Sequence, residues 1–271
     1  MKIAVVTGAS SGMGREFALK IDKSGLDELW VIARRKERLE SLQAEIDIPV
    51  RAISLDLTDT LSYSEYATLL KEASPDVKML VNCSGYGKFG TYEDVPLEDC
   101  NGMIDLNCKA LVNITQLTLP YMSEGAKIVN MSSAMALFPV PFRAYYGSVK
   151  AAVLALTYSW RMELKAVLGI DMFAICPGNI KTNFTANRVK DFKTDDRYKD
   201  VIEKTTNAAD KNEDKRIPVE KAAKECFKVI EKKKHRPMYI IGGKFKLLYF
   251  VSNRLPKSCL VDTTANLMIK K

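Results

Sequence analysis

Seven short apolar runs recur along the chain, with segments of helical periodicity between them. The runs cover residues 2–7, 28–33, 50–55, 77–82, 126–131, 170–176 and 238–242. Their hydrophobicity is continuous rather than alternating, which is typical of strands covered on both faces. Met13, Phe17 and Ile21 share one helical face, and residues 144–168 form a long helical stretch that stops near Gly169. This alternation predicts a doubly wound α/β fold with a parallel sheet and right-handed crossovers.

Length and composition are those of one ordinary α/β domain. With 271 residues, 47% of them hydrophobic, we expect a single domain over 1–271 with a sizeable core. The polar stretch 182–216 is typical of a lid inserted over a substrate. No apolar run reaches the roughly 18 residues that span a bilayer, and the chain enters its first strand without a signal-peptide pattern. We therefore expect a cytoplasmic protein.

Composition argues against a metalloprotein and against a nucleic-acid-binding protein. The six cysteines include no CxxC pair and His235 is the one histidine, so we predict no metal site. The chain has a net charge of +8, but residues 181–271 alone carry 23 Lys and Arg against 12 Asp and Glu, a local charge of +11. Such a surface could bind nucleic acid or an anionic membrane, but the run at 231–236 lacks interleaved aromatic residues. We favour a solvated helix face and predict no nucleic-acid partner.

The first predicted strand runs directly into the sequence TGASSGMG at residues 7–14. Glycines at this turn let the backbone approach a pyrophosphate, and the following helix presents free N–H groups and its positive dipole end to that anion. A glycine-rich turn between a strand and a helix is a specific signature of dinucleotide binding. The residues that we expect to contact the cofactor here are Gly8, Ser10, Ser11, Gly12, Met13 and Gly14.

The end of the second predicted strand carries the sequence VIARRKERL at residues 31–39. A site that prefers NAD usually places a carboxylate here for the ribose 2′-hydroxyl, but this chain has Ala33 followed by Arg34 and Arg35. Guanidinium groups suit a 2′-phosphate, because they form paired, charge-assisted hydrogen bonds. We therefore predict NADP(H) as the cofactor, with Arg34 the more important of the two arginines.

Tyr146 and Lys150 lie four residues apart in the sequence YYGSVK at 145–150. On a helix this spacing brings their side chains to one site, whereas Tyr145 is turned away by about 100°. A phenol ordinarily has a pKa of about 10, and a neighbouring ammonium lowers that pKa by stabilising the phenolate. We therefore predict that Tyr146 exchanges a proton with an alcohol or a ketone.

The joint order of several motifs resembles the short-chain dehydrogenase/reductase family. The motifs are TGASSGMG (7–14), NCSG (82–85), DLNCKA (105–110), NMSS (130–133), YGSVKAA (146–152) and PGNIKT (177–182), and the likeness covers roughly residues 2–242. It implies a Rossmann-type, three-layer α/β/α fold with about seven parallel strands, and hydride transfer at a nicotinamide. It also implies a catalytic tetrad of Asn107, Ser133, Tyr146 and Lys150.

Each member of the implied tetrad has a physical role. Ser133 would hydrogen-bond the substrate oxygen, and Tyr146 would donate or remove its proton. Lys150 would lower the pKa of the tyrosine while holding the nicotinamide ribose. By resemblance, Asn107 would hold a helix carbonyl and a water that extends the path of the proton.

The resemblance also extends along the cofactor trench. Asp56 would accept a hydrogen bond from the adenine amino group, although Asp56 or Thr58 could instead cap the following helix. Cys83 and Ser84 replace the family's more usual Asn-Ala, which is a mild change of size. The remaining residues expected to contact the cofactor are Leu57, Asn82, Ser84, Gly85, Pro177, Gly178, Ile180 and Thr182, together with Tyr146 and Lys150.

The segment between Ser133 and Tyr146 is expected to border the substrate. Its apolar residues would form a wall opposite Phe89, which favours a bulky hydrophobic ketone or alcohol. A hydroxysteroid-like substrate is one hypothesis, and a fatty ketone, a quinone or a 3-oxoacyl thioester remains open. Alternatively, several of these residues pack under the 182–216 segment or at an interface. The residues expected to contact substrate are Tyr86, Ser133, Met135, Phe138, Val140, Phe142 and Tyr146.

The C-terminal segment 242–271 extends past the usual family core. Phe245, Leu248, Val251 and Leu255 have helical spacing, so the segment could cover the substrate, pair with another subunit or lie on a membrane surface. We favour a lid or a subunit contact. The family resemblance implies a homodimer or homotetramer.

Two other function classes compete with an NADP(H)-dependent carbonyl reductase or alcohol dehydrogenase. A non-catalytic NADP(H)-binding sensor would keep the fold without turnover, and the intact tetrad disfavours it. A basic nucleic-acid or membrane binder would use the C-terminal third of the chain and show salt-sensitive binding. The sequence favours the enzyme.

Overall fold

The computed structural model describes residues 1–21, 25–181, 198, 200–202 and 216–269. The strands of the main sheet are β1 (Lys2–Thr7), β2 (Glu28–Ala33), β3 (Val50–Ser54), β4 (Asp76–Asn82), β5 (Lys127–Met131), β6 (Asp171–Pro177) and β9 (Met238–Ile241). Two short strands, β7 (Ile180–Lys181) and β8 (Ile217–Pro218), pair with each other in a separate ribbon. The helices are α1 (Gly12–Ile21), α2 (Lys36–Glu40), α3 (Thr60–Ala73), α4 (Leu97–Ile104), α5 (Ala110–Thr118), α6 (Ala144–Leu168), α7 (Val219–Ile230), α8 (Gly243–Ser252) and α9 (Lys257–Met268).

The main sheet has seven parallel strands in the order β3-β2-β1-β4-β5-β6-β9. The chain winds outward in one direction from β1 to β3 and then in the other direction from β4 to β9, so the strand order reverses between β1 and β4. Each of the apolar runs in the sequence forms one of these strands, which confirms the doubly wound, Rossmann-type fold. Because the strands are parallel, their carboxyl ends all lie at one edge of the sheet.

Helices cover both faces of the sheet, which explains why the strands are continuously apolar. Along β1, Ala4 and Val6 pack into a core with α1 and α7, whereas Ile3 and Val5 pack into a second core with α3, α5 and α6. On the first face, the Phe17 ring lies 5.7 Å from a ring of α7. Polar residues on strands buried on both sides need hydrogen-bond partners within the core.

The predicted long helix is confirmed as α6, which ends where Gly169 adopts a left-handed conformation with φ 65°. The following strand opens with Asp171, which accepts hydrogen bonds from Arg161 and contacts Nδ1 of His235 at 2.8 Å. The His235 ring is buried and stacks on Phe173 at 4.2 Å. Residues 231–236 are exposed apart from His235, as predicted for a solvated surface, but they form a turn after α7 and not a helix face.

The C-terminal extension forms α8 and α9, and α8 packs on the sheet edge. Phe245 and Tyr249 pack with Leu154 and Ile240, whereas Leu248 and Val251 are 43% and 48% exposed. The predicted apolar stripe is therefore wrong beyond its first residue, because the packed positions are four residues apart from Phe245. No helix in the described part of the chain is long and apolar enough to cross a membrane. The predicted lid at 182–216 lies outside the described residues except for positions 198, 200–202 and 216.

Candidate active site

A large cleft opens at the carboxyl ends of the strands, with a volume of about 1410 Å³. It begins at the glycine-rich turn between β1 and α1, passes the ends of β4 and β5, and reaches the start of α6. Ligands of doubly wound sheets bind at this edge, where the strand order reverses. The fold therefore places the cleft where the sequence predicted a dinucleotide.

The glycine-rich turn is packed so tightly that side chains would not fit. Gly8 and Gly12 adopt left-handed conformations, with φ 71° and 56°. A Cβ atom on Gly8 would lie 2.9 Å from the backbone nitrogen of Ser84, and one on Gly14 would lie 2.3 Å from the carbonyl oxygen of Gly8. Because α1 begins at Gly12, its first N–H groups border the cleft. This arrangement fits the pyrophosphate of a dinucleotide.

Two guanidinium groups lie at the adenosine end of the cleft. Nη2 of Arg35 donates to Oγ of Ser10 at 2.9 Å and to Oγ of Ser11 at 3.1 Å. Nη1 of Arg34 lies 3.7 Å from Oδ2 of Asp56, and the Arg34 side chain is 73% exposed. The glycine-rich turn thus fixes Arg35 in place, whereas Arg34 is a solvent-exposed cation beside Asp56.

Asp56 is held as a charged acceptor beside these arginines. Its Oδ1 accepts hydrogen bonds from the backbone nitrogen and the hydroxyl of Thr58, at 3.0 and 2.7 Å. Burial acts to raise the pKa of Asp56, but these hydrogen bonds and the charge of Arg34 outweigh it, and the pKa lies below its usual value. The helix α3 is capped instead by Asp59, whose carboxylate accepts from the backbone nitrogen of Leu61 at 3.0 Å.

Tyr146 lies buried in the cleft, where only 7% of it is exposed. Its ring meets the Phe89 ring edge-on, with the centroids 5.9 Å apart. Burial raises the pKa of Tyr146 to about 12, although a hydrogen bond with Ser133 and the charge of Arg143 both act to lower it. The hydroxyl is therefore protonated at neutral pH. Tyr145 lies outside the cleft lining, as the helical spacing predicted.

The end of β5 fixes the groups around this tyrosine. Ser132 donates its hydroxyl proton to the carbonyl oxygen of Lys150 at 2.8 Å, and Nζ of Lys150 donates to the carbonyl oxygen of Met131 at 2.9 Å. Oγ of Ser133 accepts a hydrogen bond from the backbone nitrogen of Met135 at 3.1 Å, so its own proton can point into the cleft. Strand β5 and helix α6 are thereby joined at the point where the predicted catalytic residues meet.

Burial lowers the pKa of Lys150 to about 8, although nearby cysteines act to raise it. The sequence-based explanation of the tyrosine's acidity therefore needs correction. Burial is the largest influence on the pKa of Tyr146, and it raises that pKa. A neighbouring ammonium has to offset this desolvation before the phenolate forms.

Asn107 lies in a π-helical turn, Asp105–Lys109, between α4 and α5. Such turns often occur at functional sites, because the extra residue shifts a side chain out of the helical register. Nδ2 of Asn107 donates to the carbonyl oxygens of Met103 and Tyr86, both at 2.9 Å. The amide is therefore held from two sides.

The oxygen of this amide borders the same space as Nζ of Lys150. Oδ1 of Asn107 is buried and has no hydrogen-bond partner among the described residues. A Cβ atom placed on Gly85 would lie 2.4 Å from that oxygen and 3.4 Å from Nζ of Lys150, so the two polar atoms border the same small space. An acceptor and a donor around a space beside the tyrosine fit a water or a ligand hydroxyl group.

Most residues predicted to contact the cofactor line this cleft. Their position in the cleft does not by itself test their roles, which stay predictions. Thr182 lies outside the described residues. The residues that line the cleft are Gly8, Ser10, Ser11, Gly12, Met13, Gly14, Arg34, Arg35, Asp56, Leu57, Ser84, Gly85, Tyr146, Lys150, Pro177, Gly178 and Ile180.

Asn82 is an exception, because it lies in the core beneath the cleft and not in its lining. Its Nδ2 donates to Oγ1 of Thr115 and to Oδ1 of Asn130, both at 2.9 Å. Asn130 in turn donates to Oγ1 of Thr157 at 3.0 Å. The predicted cofactor contact of Asn82 stays a prediction, and the structure shows that its amide joins β4 and β5 to the helices beneath them.

The predicted substrate wall is only partly present. Tyr86 and Met135 line the cleft with Ser133 and Tyr146, and so does Phe89 on the opposite side. The cleft lining does not include Phe138, Val140 and Phe142, whose expected substrate contacts stay predictions.

The backbone explains why the wall is incomplete. A short 3₁₀ turn, Ala134–Ala136, follows Ser133, and Leu137 then packs against the apolar cluster on which Phe245 of α8 also packs. The carbonyl oxygen of Phe142 accepts a hydrogen bond from the backbone nitrogen of Gly90 at 3.0 Å. The loop is therefore held by the apolar cluster next to α8 at one end and by the segment after β4 at the other.

Three basic residues of the cleft were missed in the sequence. Lys88, Arg143 and Arg216 line it, and Arg216 is only 8% exposed. Arg143 lies just before Tyr146 in a mostly apolar stretch, and the prediction for this stretch used its apolar residues alone. A basic residue three positions before the predicted catalytic tyrosine, Tyr146, is the signal that could have revealed Arg143. Arg216 had no comparable signal, because it belongs to the basic and polar 182–216 segment.

The family model described as short chain dehydrogenase matches residues 2–193. The chain belongs to this family. Sulfoacetaldehyde reductase 2 of Chromohalobacter salexigens is 38% identical over 192 residues, which cover 69% of this chain and 75% of that protein. The uncharacterized oxidoreductase YusZ of Bacillus subtilis is 30% identical over 271 residues, which cover 95% of each chain.

Solved structures agree with this assignment. A short-chain dehydrogenase from Streptomyces avermitilis superposes with a TM-score of 0.80 at 25% identity, over 98% of this chain and 97% of that chain. Serine dehydrogenase complexed with NADP⁺ has a TM-score of 0.73 at 23% identity, over 88% and 94% of the two chains. A Burkholderia phymatum family member in complex with NAD has a TM-score of 0.75 at 23% identity, over 95% and 93%. The last two likenesses concern the fold alone.

Proposed function

We propose that this protein is an NADP(H)-dependent oxidoreductase that interconverts a ketone and a secondary alcohol. The observation that supports this most directly is the meeting of Ser133, Tyr146 and Lys150 in one cleft, whose other end holds Arg34 and Arg35. A proton donor and an anion-binding turn are the two parts that such a reaction needs from the protein.

In the reducing direction, Tyr146 acts as the general acid. Its hydroxyl is protonated at neutral pH and shares a hydrogen bond with Ser133, so both hydroxyl groups can donate to one carbonyl oxygen. When Tyr146 gives up its proton, a protonated Lys150 nearby stabilises the phenolate. Asn107 holds the backbone of the 86–90 segment and offers Oδ1 beside Lys150, where a water would return the proton.

The residues present fit a dinucleotide bound along the cleft. The glycine-rich turn and the N-terminus of α1 would hold the pyrophosphate, and Lys150 would hold the nicotinamide ribose. When bound, the cofactor supplies or accepts the hydride. Because β2 ends at Ala33 and not at a carboxylate, the adenosine end favours a 2′-phosphate over a 2′-hydroxyl.

The test of this proposal is turnover of NADPH with a panel of ketones, followed by the loss of nicotinamide absorbance. Tyr146→Phe should lower the rate by about 10²–10⁴-fold, because it removes the general acid. The adjacent Tyr145→Phe is the matched control and should keep near-normal activity. Near-normal turnover by Tyr146→Phe would contradict the proposal.

Cofactor preference is tested by replacing Arg34 and Arg35 with alanine, one at a time. Each charge-assisted contact is worth about 1.5–3 kcal/mol, so each change should lower the ratio of kcat/KM for NADPH over NADH by about 10- to 100-fold. Arg38→Ala removes an exposed arginine that lies outside the cleft lining, and it should leave the ratio unchanged. A ratio near one in the unmodified protein would overturn the NADP(H) preference and leave the acid-base proposal intact.

Three residues of the cleft lining bear on the substrate class. Tyr86, Phe89 and Met135 favour a substrate with an apolar part, and a hydroxysteroid-like ketone is compatible with the volume of the cleft. A 3-oxoacyl thioester and a quinone are the alternatives. A non-catalytic NADP(H)-binding sensor would bind NADPH tightly and convert none of the panel.

A homodimer or homotetramer is the assembly we propose. Apolar side chains one turn apart are exposed on α6, where Tyr158 is 38% and Met162 is 69% exposed. Contiguous apolar surface on a helix face is typical of subunit contacts. Light scattering after size-exclusion chromatography tests this, and a monomer at micromolar concentration would contradict it.

A further inference from the structure

Arg143 places a positive charge at the substrate end of the cleft. It precedes the first residue of α6 and lies three residues before Tyr146. The side chain is partly buried and lines the cleft together with Ser133 and Met135. A guanidinium group in this position faces whatever compound approaches the tyrosine.

Neighbouring side chains fix the orientation of this guanidinium group. Its central carbon lies 4.7 Å from the centroid of the Phe89 ring, and Nη1 lies 3.7 Å from Sδ of Met135. The Phe89 ring in turn contacts the edge of the Tyr146 ring. Arginine, phenylalanine and catalytic tyrosine therefore form one packed unit, which holds the charge beside the reacting group.

The backbone at this point adopts an unusual conformation. Phe142 has a φ of 63°, which is rare for a bulky residue without glycine's freedom, and its carbonyl oxygen is bound by Gly90. This residue directs the chain into α6 immediately before Arg143. An observed strained residue beside an active site is compatible with a functional constraint on the side chain that follows it.

The charge of Arg143 acts to lower the pKa of Tyr146. The acidic residues nearest on α4 are Glu98 and Asp99, and both line the cleft. Asp99 pairs with Lys88 at 3.6 Å, and Glu98 is exposed to solvent. The cleft lining includes the cations Lys88, Arg143 and Arg216 as well as these two carboxylates.

We propose that the natural substrate carries a carboxylate or a sulfonate, which binds Arg143 while the carbonyl group meets Tyr146 and Ser133. This inference rests on the proposed function and names its substrate class. A guanidinium group binds such oxyanions through two parallel hydrogen bonds. Because Arg143 stacks on the Phe89 ring that contacts Tyr146, the anionic group and the carbonyl group of the substrate would lie near each other. The remaining apolar part of the substrate packs against Phe89 and Met135.

The experiment compares ketones that differ only in charge. Acetoacetate and levulinate are assayed with NADPH against their methyl esters, and acetonylsulfonate is included to distinguish a sulfonate from a carboxylate. We expect kcat/KM for at least one anion to exceed that for the matched ester by about tenfold or more. Equal values, or a preference for the esters, would overturn the inference and leave the proposed function standing.

Variants then locate the preference. Arg143→Gln should lower the ratio of anion to ester kcat/KM by about 10- to 100-fold, mainly through KM for the anion. Arg143→Lys should recover part of the ratio, because it keeps the charge and loses the paired hydrogen bonds. Arg254→Gln is the matched control, since Arg254 also stacks on an aromatic ring, at 3.5 Å from the Phe250 centroid, but lies outside the cleft lining. An unchanged ratio in Arg143→Gln would overturn the inference.

A binding measurement separates failure of the inference from failure of the proposed function. If no ketone is converted in a Tyr146-dependent way, the proposed function fails. Calorimetry with levulinate and its methyl ester on the NADPH-loaded protein then decides the inference. Binding of levulinate that is stronger than that of the ester and is lost in Arg143→Gln supports it, and equal binding overturns it.

Discussion

Gly85→Ala tests whether the position of the Asn107 amide matters to this protein. The new methyl group would lie 2.4 Å from Oδ1 of Asn107, which is well inside van der Waals contact. The amide oxygen is buried, and Nδ2 is fixed by two hydrogen bonds of 2.9 Å, to the carbonyl oxygens of Met103 and Tyr86. The substitution therefore forces either a clash or a displaced amide.

Both outcomes predict a similar loss of stability. If the amide stays in place, overpacking costs about 1–3 kcal/mol. If it moves away, two hydrogen bonds of about 1 kcal/mol each are lost. The free energy of unfolding should fall by about 1–3 kcal/mol, which corresponds to about 2–4 °C in Tm for each kcal/mol. If the amide moves, the rate of ketone reduction should also fall by about tenfold or more, because the Asn107 oxygen no longer lies beside Lys150.

Urea unfolding and the NADPH assay measure these two effects on the same preparation. Gly243→Ala is the matched control, because a Cβ atom there would meet nothing within 4 Å and the residue opens α8. That variant should be as stable and as active as the unmodified protein. A Gly85→Ala variant with unchanged stability and unchanged rate would refute the argument that Asn107 is held in one place.

Three further predictions follow from other parts of the structure. Burial lowers the pKa of Lys150 to about 8, so the amine is protonated below that pH and neutral above it, and kcat/KM for NADPH in reduction should fall about tenfold per unit above pH 8. Lys150→Arg stays charged and should lack this decline; a wild-type profile that is flat to about pH 10 contradicts the prediction. Asp171→Asn should cost about 3–5 kcal/mol in urea unfolding, because it leaves Arg161 buried without its counter-ion, and should keep kcat, because β6 begins at the edge opposite the cleft; wild-type stability contradicts it. Phe245→Ala should cost about 1–3 kcal/mol and raise the KM for NADPH, because its ring packs on Gly178 beside the cleft; an unchanged KM contradicts that contact's role.

The sequence predicted the secondary structure closely because its signals are local. A strand that is buried on both faces is apolar along its length, wherever it lies in the sheet. Gly169 ends α6 because glycine readily adopts the left-handed conformation found there. Tyr146 and Lys150 could be paired from their spacing alone, since both lie on α6. The C-terminal helix α8 was anticipated only in part, because its packed face depends on the sheet edge that it meets.

The environment of each predicted residue depended on the tertiary structure. Asn82 ends a strand beside the cleft, yet its amide lies beneath the sheet edge and binds Asn130 on the neighbouring strand. The same applies to Phe142, whose left-handed backbone could not be expected from a phenylalanine. Side chains at strand ends can face either way, and only the packing of distant segments selects the direction.

The sequence by itself determined the doubly wound sheet, the dinucleotide turn and the pairing of Tyr146 with Lys150, because periodicity and short motifs act through neighbouring residues. Only the tertiary structure decided how deeply those groups are buried, and therefore that the pKa of Tyr146 rises to about 12 and that of Lys150 falls to about 8. It also placed Arg143 over Phe89, which lies far away in the chain. Desolvation and charge placement depend on residues that meet only when the sheet and its helices come together.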